Sequence, residues 1–503
     1  MHFPVALSIL SRAVLSAPRR IAAALVPFAI AAGVQGQITV PPDPLFSGPA
    51  PSVAASVGSG GALNWTTGDG KSYLIPAAEV PGFLAALSIV DRITIPDNVY
   101  DSTFDSTWEH LHEQHWVFDT DPFGVNQFGH PYQGATMFAF ARSSGVSFWP
   151  SLIYNNVGSF IWKMAGETDL PSINDQIATG IAGAFLGESL FRMSSLLLEG
   201  GGEHPGTWRE VGAAVISPPT GFNRLVFGNR FKAVFPSYDP ATFMRLRFGA
   251  EVDANVTSQG VSNPVARQEG IIDFTMEYGL PGKNNYEYNR PFDYFSFEFA
   301  GQANLQNLIE DIMVRGLLYG SDYELGPNFR GIQGLYGSYD YISPNIFRVS
   351  SSALSYGTTG QWWLSKEVAL QGTALAGVGF AGAGTTPIPD GQRDYHYGIA
   401  PQGLLALRAI FGKRVMMDLT GREYYVSGTG SDDATGSEQI FRGDVGLTFR
   451  IVDQQAIGIQ FVESNRHAHY QYYTDTNQSE GAFSLVYTFL GRSGFGRVEW
   501  RNQ

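Results

Sequence analysis

From about residue 240 to the C-terminus, apolar and polar side chains alternate along the chain. Between 245 and 256, Leu246, Phe248, Ala250, Val252 and Ala254 share one face, and Arg245, Arg247, Glu251, Asp253 and Asn255 share the other. The same alternation sets Val445, Leu447, Phe449 and Ile451 opposite Thr448 and Arg450, and it aligns Phe483, Leu485, Tyr487 and Phe489. A period of two belongs to a β-strand, whose successive side chains point to opposite faces. Further stretches of this kind lie near 270–279, 293–300, 308–320, 329–342, 352–364, 367–380, 395–410, 413–426 and 456–470, parted by turns rich in Gly, Asp, Asn and Pro. The pattern predicts about twelve strands, an even count.

Alternation alone does not say which face is buried. A soluble sandwich turns its apolar face inward, whereas a membrane barrel turns it outward to lipid. Three features favour the barrel. The strands are mostly long enough for a tilted bilayer crossing of about 9–11 residues. Their polar faces carry both signs (Asp273, Glu277, Asp311, Arg315, Asp418, Arg422, Asp444, Arg450), which suits a lumen of paired charges. Aromatic residues recur near strand ends, where interfacial girdles sit. Closure also removes the edges a long open sheet would expose. The soluble sandwich is the alternative.

Upstream the period changes. Residues 130–217 carry apolar runs at helical spacing, broken by Gly and Pro, and 80–93 ("VPGFLAALSIVDRI") predicts another helix. Residues 37–61 are rich in Pro, Gly and Ser without periodicity and read as a flexible linker. In the first 36 residues, Arg12, Arg19 and Arg20 bracket the approach to an apolar run at 21–34, which ends at "VQG". That run falls short of the roughly 20 apolar residues of a membrane helix and fits a cleaved signal peptide. The expected organisation is α+β: signal peptide 1–36, linker 37–61, a mostly helical domain 62–235, and an antiparallel transmembrane β-barrel 236–503.

Composition agrees with export and a membrane. Charged residues make up 16% of the 503, aromatics 13%, and there are 59 glycines and no cysteine. Without disulfides, stability must come from burial or from a membrane. A net charge of −14 with no basic patch excludes a nucleic-acid partner, because phosphate neutralisation needs clustered cations. Beyond the signal no uncharged apolar stretch reaches transmembrane-helix length, which leaves membrane crossing to the strands.

Residues 116–149 ("WVFDTDPFGVNQFGHPYQGATMFAFARSSGVSFW") and 158–192 ("GSFIWKMAGETDLPSINDQIATGIAGAFLGESLFR") resemble the bacterial domain-of-unknown-function family numbered 3943. The match is carried by Asp121, Asn126, His130, Pro131, Gly134, Arg142, Gly145, Ser159, Trp162, Glu167, Ser172, Asn174, Asp175, Gly183, Gly187 and Glu188, and "PPTGFNRLVFG" (218–228) continues it. Lys163 departs from the family pattern, in which an acid commonly follows the tryptophan. The resemblance implies an envelope location and a helical region ahead of a barrel-like part. It implies no activity.

Within that segment, Ser172 precedes Asp175 by three residues and follows Pro171, the spacing of a capping box with Asp in place of Glu; Asn174 could satisfy another first-turn donor. Glu188 projects near the apolar face of its helix, where Arg192 four residues on is a well-oriented partner; the functional alternative is a pocket acid with a raised pKa. Gly180, Gly183, Ala184 and Gly187 form a small-residue stripe that lets another helix, or a barrel wall, approach closely. His130, at the start of a helix with Pro131, is a structural histidine or a general base. Were His130, Glu167, Asp175 and Glu188 to converge, they would supply a general-base or metal site.

Other histidines are weaker candidates. His110, His112 and His115 gather in "WEHLHEQHW" (108–116), but without the H-E-x-x-H spacing of a zinc protease. His467 and His469 share one strand face. There is no P-loop, dinucleotide glycine motif or G-x-S-x-G elbow, and no cofactor is expected. The sequence therefore predicts an outer-membrane barrel whose helical module plugs the lumen or docks in the periplasm and binds or handles an envelope component. Outer-membrane lipid and a lipid or small envelope molecule are the expected partners. The alternative is an envelope lipid or glycolipid hydrolase using His130 with Glu167, Asp175 or Glu188; the sequence leaves enzyme activity open.

Overall fold

The computed structural model describes residues 61–499 except 96–97, 114, 259–260, 264–267, 304–307, 345, 385–394, 429–435, 471–473 and 492–493. The expected signal peptide, and the linker except Gly61, lie outside the described residues. The chain divides into two compact units, a helical one (61–194 with 206–234) and a barrel (235–499 with 195–205).

The helical unit contains α1 (Leu74–Thr94), α2 (Phe104–Glu113), α3 (His130–Ser143), α4 (Phe148–Ala165), α5 (Ile173–Glu199), α6 (Thr207–Ile216) and α7 (Pro218–Val226). Pro131 stands in the first turn of α3, where its missing N–H removes no intrahelical bond. Gly145 ends that helix at φ +88°, a conformation side chains with a Cβ rarely adopt. The small-residue stripe is where α5 meets α3. A Cβ on Gly183 would lie 2.7 Å from the Gly134 Cα, and one on Gly187 would lie 2.9 Å from the Ala135 carbonyl oxygen. Gly180 abuts the Asn156 side chain instead. The backbones approach closely because there is nothing between them.

The barrel has twelve long antiparallel strands, beginning with β1 (Thr242–Ser258) and ending with β13 (Thr476–Leu490). A three-residue strand, β2 (Val261–Asn263), folds back on the far end of β1. Each long strand pairs with its sequence neighbour, and β13 returns to β1 with Leu246 opposite Phe489, so the sheet closes. At the end where β1 starts, four of the connections are turns of two to four residues, with one longer connection at 279–294. The connections at the other end run from five to twelve residues.

The alternation resolves as apolar-out. Arg245, Arg247, Glu251 and Asp253 are buried in the lumen, whereas Phe248 is 44% exposed, Leu405 63% and Leu485 61%. A soluble sandwich would reverse this. Inside, Arg245 binds Asp418 at 2.8 Å, Arg247 binds Asp273 at 2.8 Å and Arg422 binds Glu298 at 2.8 Å. Arg442 reaches both Glu310 and Asp311 at 2.8 Å. Arg450, expected in that set, lies over the Phe495 ring at 4.4 Å instead. At the short-turn end the C-terminal stretch folds into the mouth: Gln361 Nε2 and Trp363 Nε1 both donate to the Val498 carbonyl at 3.0 Å. Cavities among these lumen side chains hold about 20, 40 and 70 Å³. Each has room for one to a few waters.

Candidate functional site

Three of the four acid/base candidates meet in the helical unit, and the fourth does not. His130 opens α3, Asp175 lies in the first turn of α5, and Glu167 follows the end of α4. His130 Nε2 lies 3.1 Å from Asp175 Oδ2. Lys163, on the last turn of α4, contacts both Asp175 and Glu167. Trp162 Nε1 donates to the other Glu167 oxygen at 3.0 Å, and Asn174 Nδ2 donates to Asp175 Oδ1 at 2.8 Å. The loop ahead of α3 adds Asp119, whose carboxylate accepts from Asn126 and whose N–H donates to Asn174 Oδ1 at 3.1 Å.

All four central side chains are buried: His130 and Lys163 are 2% exposed, Glu167 3% and Asp175 0%. Burial by itself would raise Asp175, but the charges of His130 and Lys163 outweigh it and hold the carboxyl well below its ordinary range. Burial would lower His130, and the Asp175 carboxylate reverses that, so the imidazole is raised and favours its cationic form. Asp119 is pushed up to about 7, chiefly by burial and then by the negative charge of Asp175. His130 and Lys163 thus face Asp175 and Glu167, with Asp119 and Asp121 beside them, in one buried cluster of charge.

The arrangement limits the chemistry. A general base needs a free nitrogen, yet His130 has Nε2 at Asp175 and Nδ1 3.3 Å from Gln133 Oε1. The geometry fastens α3, α4 and α5 together. Glu188 belongs to a second cluster on the same helices, receiving Arg142 Nε at 2.6 Å and the expected Arg192 Nε at 2.8 Å. The Arg142 guanidinium also lies 4.6 Å from the Phe191 ring centroid.

The capping box does not form. Ser172 has the extended backbone of an N-cap (φ −110°, ψ 136°), but its hydroxyl makes no cap hydrogen bond, and the Asp175 carboxylate is turned toward His130 and Lys163. Sequence reasoning set Lys163 aside and did not single out Asp119. The available signal for Lys163 was a polar row on α4, Ser151, Asn155, Ser159 and Lys163 at four-residue spacing. Among the weaker histidines, His110 is buried in α2 and His112 is exposed, with Nδ1 2.8 Å from the Trp108 carbonyl oxygen. Among the described residues no group of three or more His, Asp or Glu is placed to hold a metal ion. On the barrel, His467 and His469 are exposed, at Asn477 (2.6 Å) and Asp475 (2.7 Å) respectively.

Residues 115–219 match the model of a domain of unknown function, DUF3943. No curated protein matches the chain. Similar solved structures include the NanC porin, at 9% identity and TM-score 0.26, covering 49% of this chain and 98% of the porin. The KdgM porin shows 8% identity and TM-score 0.23 over 49% of this chain and 98% of its own. The outer membrane channel DcaP of Acinetobacter baumannii shows 8% and 0.23 over 50% and 96%.

Proposed function

We propose that the chain is an outer-membrane protein, exported through a cleaved signal peptide at residues 1–36, whose barrel carries a helical unit that binds or handles an envelope component. The observation that carries this reading is the reversed sheet. A closed barrel with Leu405 and Leu485 outward and paired arginines inward is stable only where lipid covers its exterior. The short turns at the end where β1 starts have the form of periplasmic turns. The filled lumen argues against a wide diffusion pore. The buried His130, Asp175, Lys163 and Glu167, each at ion-pair distance from another of the set, favour binding and scaffolding over hydrolysis.

Fractionation with heat-modifiable gel migration tests the reading. The protein should sediment with the outer membrane and migrate faster unheated than boiled. Recovery as a soluble protein with heat-insensitive migration would overturn it.

A further inference from the structure

The helical unit keeps an apolar core, including Met137, Phe138 and Phe185, yet it also exposes apolar faces. Helix α4 buries its polar row, Ser151, Asn155, Ser159 and Lys163, and exposes Trp149, Ile153, Val157 and Phe160. Helix α1 repeats this on its outer side, where Leu74, Ala78, Pro81, Ala85, Ile89 and Ile93 form an exposed stripe at helical spacing. Arg92 is the one charged residue among the exposed positions of α1. By length and composition α1 would suffice for a membrane crossing, yet only 22% of its apolar window is buried. Helix α2 continues the surface with Phe104 (79% exposed), Trp108 and Leu111.

A helix on a water-facing surface does the opposite, with its apolar stripe toward the core. Polar side chains that face the bundle interior and pair there, with glycine-lined helix contacts, are the signature of helices in lipid. The exposed tryptophans of this surface, Trp108 and Trp149, are of the residue type enriched at the interface between headgroups and acyl chains. The tether is short as well. Seven residues separate the end of the helical unit at Val234 from the start of β1 at Thr242, a span of at most about 25 Å. A barrel in the membrane thus keeps the helical unit within tether's reach of the bilayer.

We infer that the outer face of α1, α2 and α4 is a lipid-binding surface that embeds in the acyl-chain region of a membrane leaflet, as a monotopic domain does. This rests on the membrane-barrel reading. The covering partner is phospholipid acyl chain rather than a second copy of the chain.

The absence of cysteine allows each introduced thiol to be labelled uniquely. Full-length protein in phospholipid bilayers would carry a nitroxide at Ala85→Cys, Ile153→Cys, Leu407→Cys on the barrel exterior, or Thr66→Cys on an exposed polar turn. Relaxation by oxygen, which concentrates in acyl chains, should exceed relaxation by a water-soluble nickel chelate several-fold at positions 85, 153 and 407, and the ratio should invert at 66. Chelate access at 85 and 153 with lipid exposure at 407 overturns the inference alone. Chelate access at 407 as well overturns the barrel reading. Dipolar broadening between labels at 153, with exclusion of both relaxants, shows a second copy on the face and also overturns the inference.

Discussion

In the barrel, Arg245 reaches Asp418 and Asp273, Arg408 shares Asp418, and Arg422 and Arg315 share Glu298. In the helical unit one carboxylate, Glu188, serves both Arg142 and Arg192, and one cation, Lys163, serves both Glu167 and Asp175. Both regions bury charge and satisfy it. The barrel spreads it over strands, so a lost partner leaves another within reach. The helical unit concentrates it on single shared side chains between packed helices, so that losing the shared group, Glu188 or Lys163, removes two pairs at once. Redundancy of pairing should decide how each region responds to substitution.

The largest test is Glu188→Gln. It removes the carboxylate charge that two buried guanidinium groups share and should cost the helical unit about 3–5 kcal/mol, read as a lowered denaturant midpoint or rapid limited proteolysis, while heat-modifiable barrel migration persists. A change within about 1 kcal/mol would remove the contrast between the regions.

Next in size is a pH effect confined to the helices. The Asp119 carboxyl titrates near 7 in the folded unit against about 3.9 unfolded, so the folded state holds the extra proton between those values. Its contribution is fully present below about pH 3.9 and is lost as pH rises through about 7. The raised His130 acts in the same direction. Asp175, held low, contributes in the opposite sense and is lost only on strong acidification. Proteolytic stability of the helical unit should fall between about pH 5 and pH 8, and Asp119→Asn should flatten that fall. An unchanged slope in the variant would assign the effect elsewhere.

Arg247→Gln probes the distributed lumen. Asp273 keeps Arg245 Nε at 3.9 Å, so the barrel should lose only about 1 kcal/mol, seen as a small drop in the temperature at which gel migration shifts. Loss of the folded barrel would show that its pairs are as indispensable as those of the helices. The smallest expected effect is that of Ser172→Ala. Its hydroxyl makes no cap bond, so the change should stay within a few tenths of a kcal/mol, where a working cap costs about 1.

The period of two was sufficient to place the barrel strands, because each strand exposes its two faces to two different solvents and the residues record that alternation directly. The contact between α3 and α5 was legible for a similar reason: Gly183 and Gly187 leave a groove whatever fills it. The pairing of Glu188 with Arg192 follows from local helix geometry. What lay beyond local spacing was hidden. Ser172 and Asp175 have the spacing of a cap, but Asp175 answers to His130 and Lys163, which are 45 and 12 residues away. Arg142 joins Glu188 across 46 residues. Sequence alone determined which residues must avoid water and at what period, since that is written residue by residue. Only the tertiary structure decided which buried charge meets which, because an electrostatic partner is chosen by distance in space, and helix packing sets that distance.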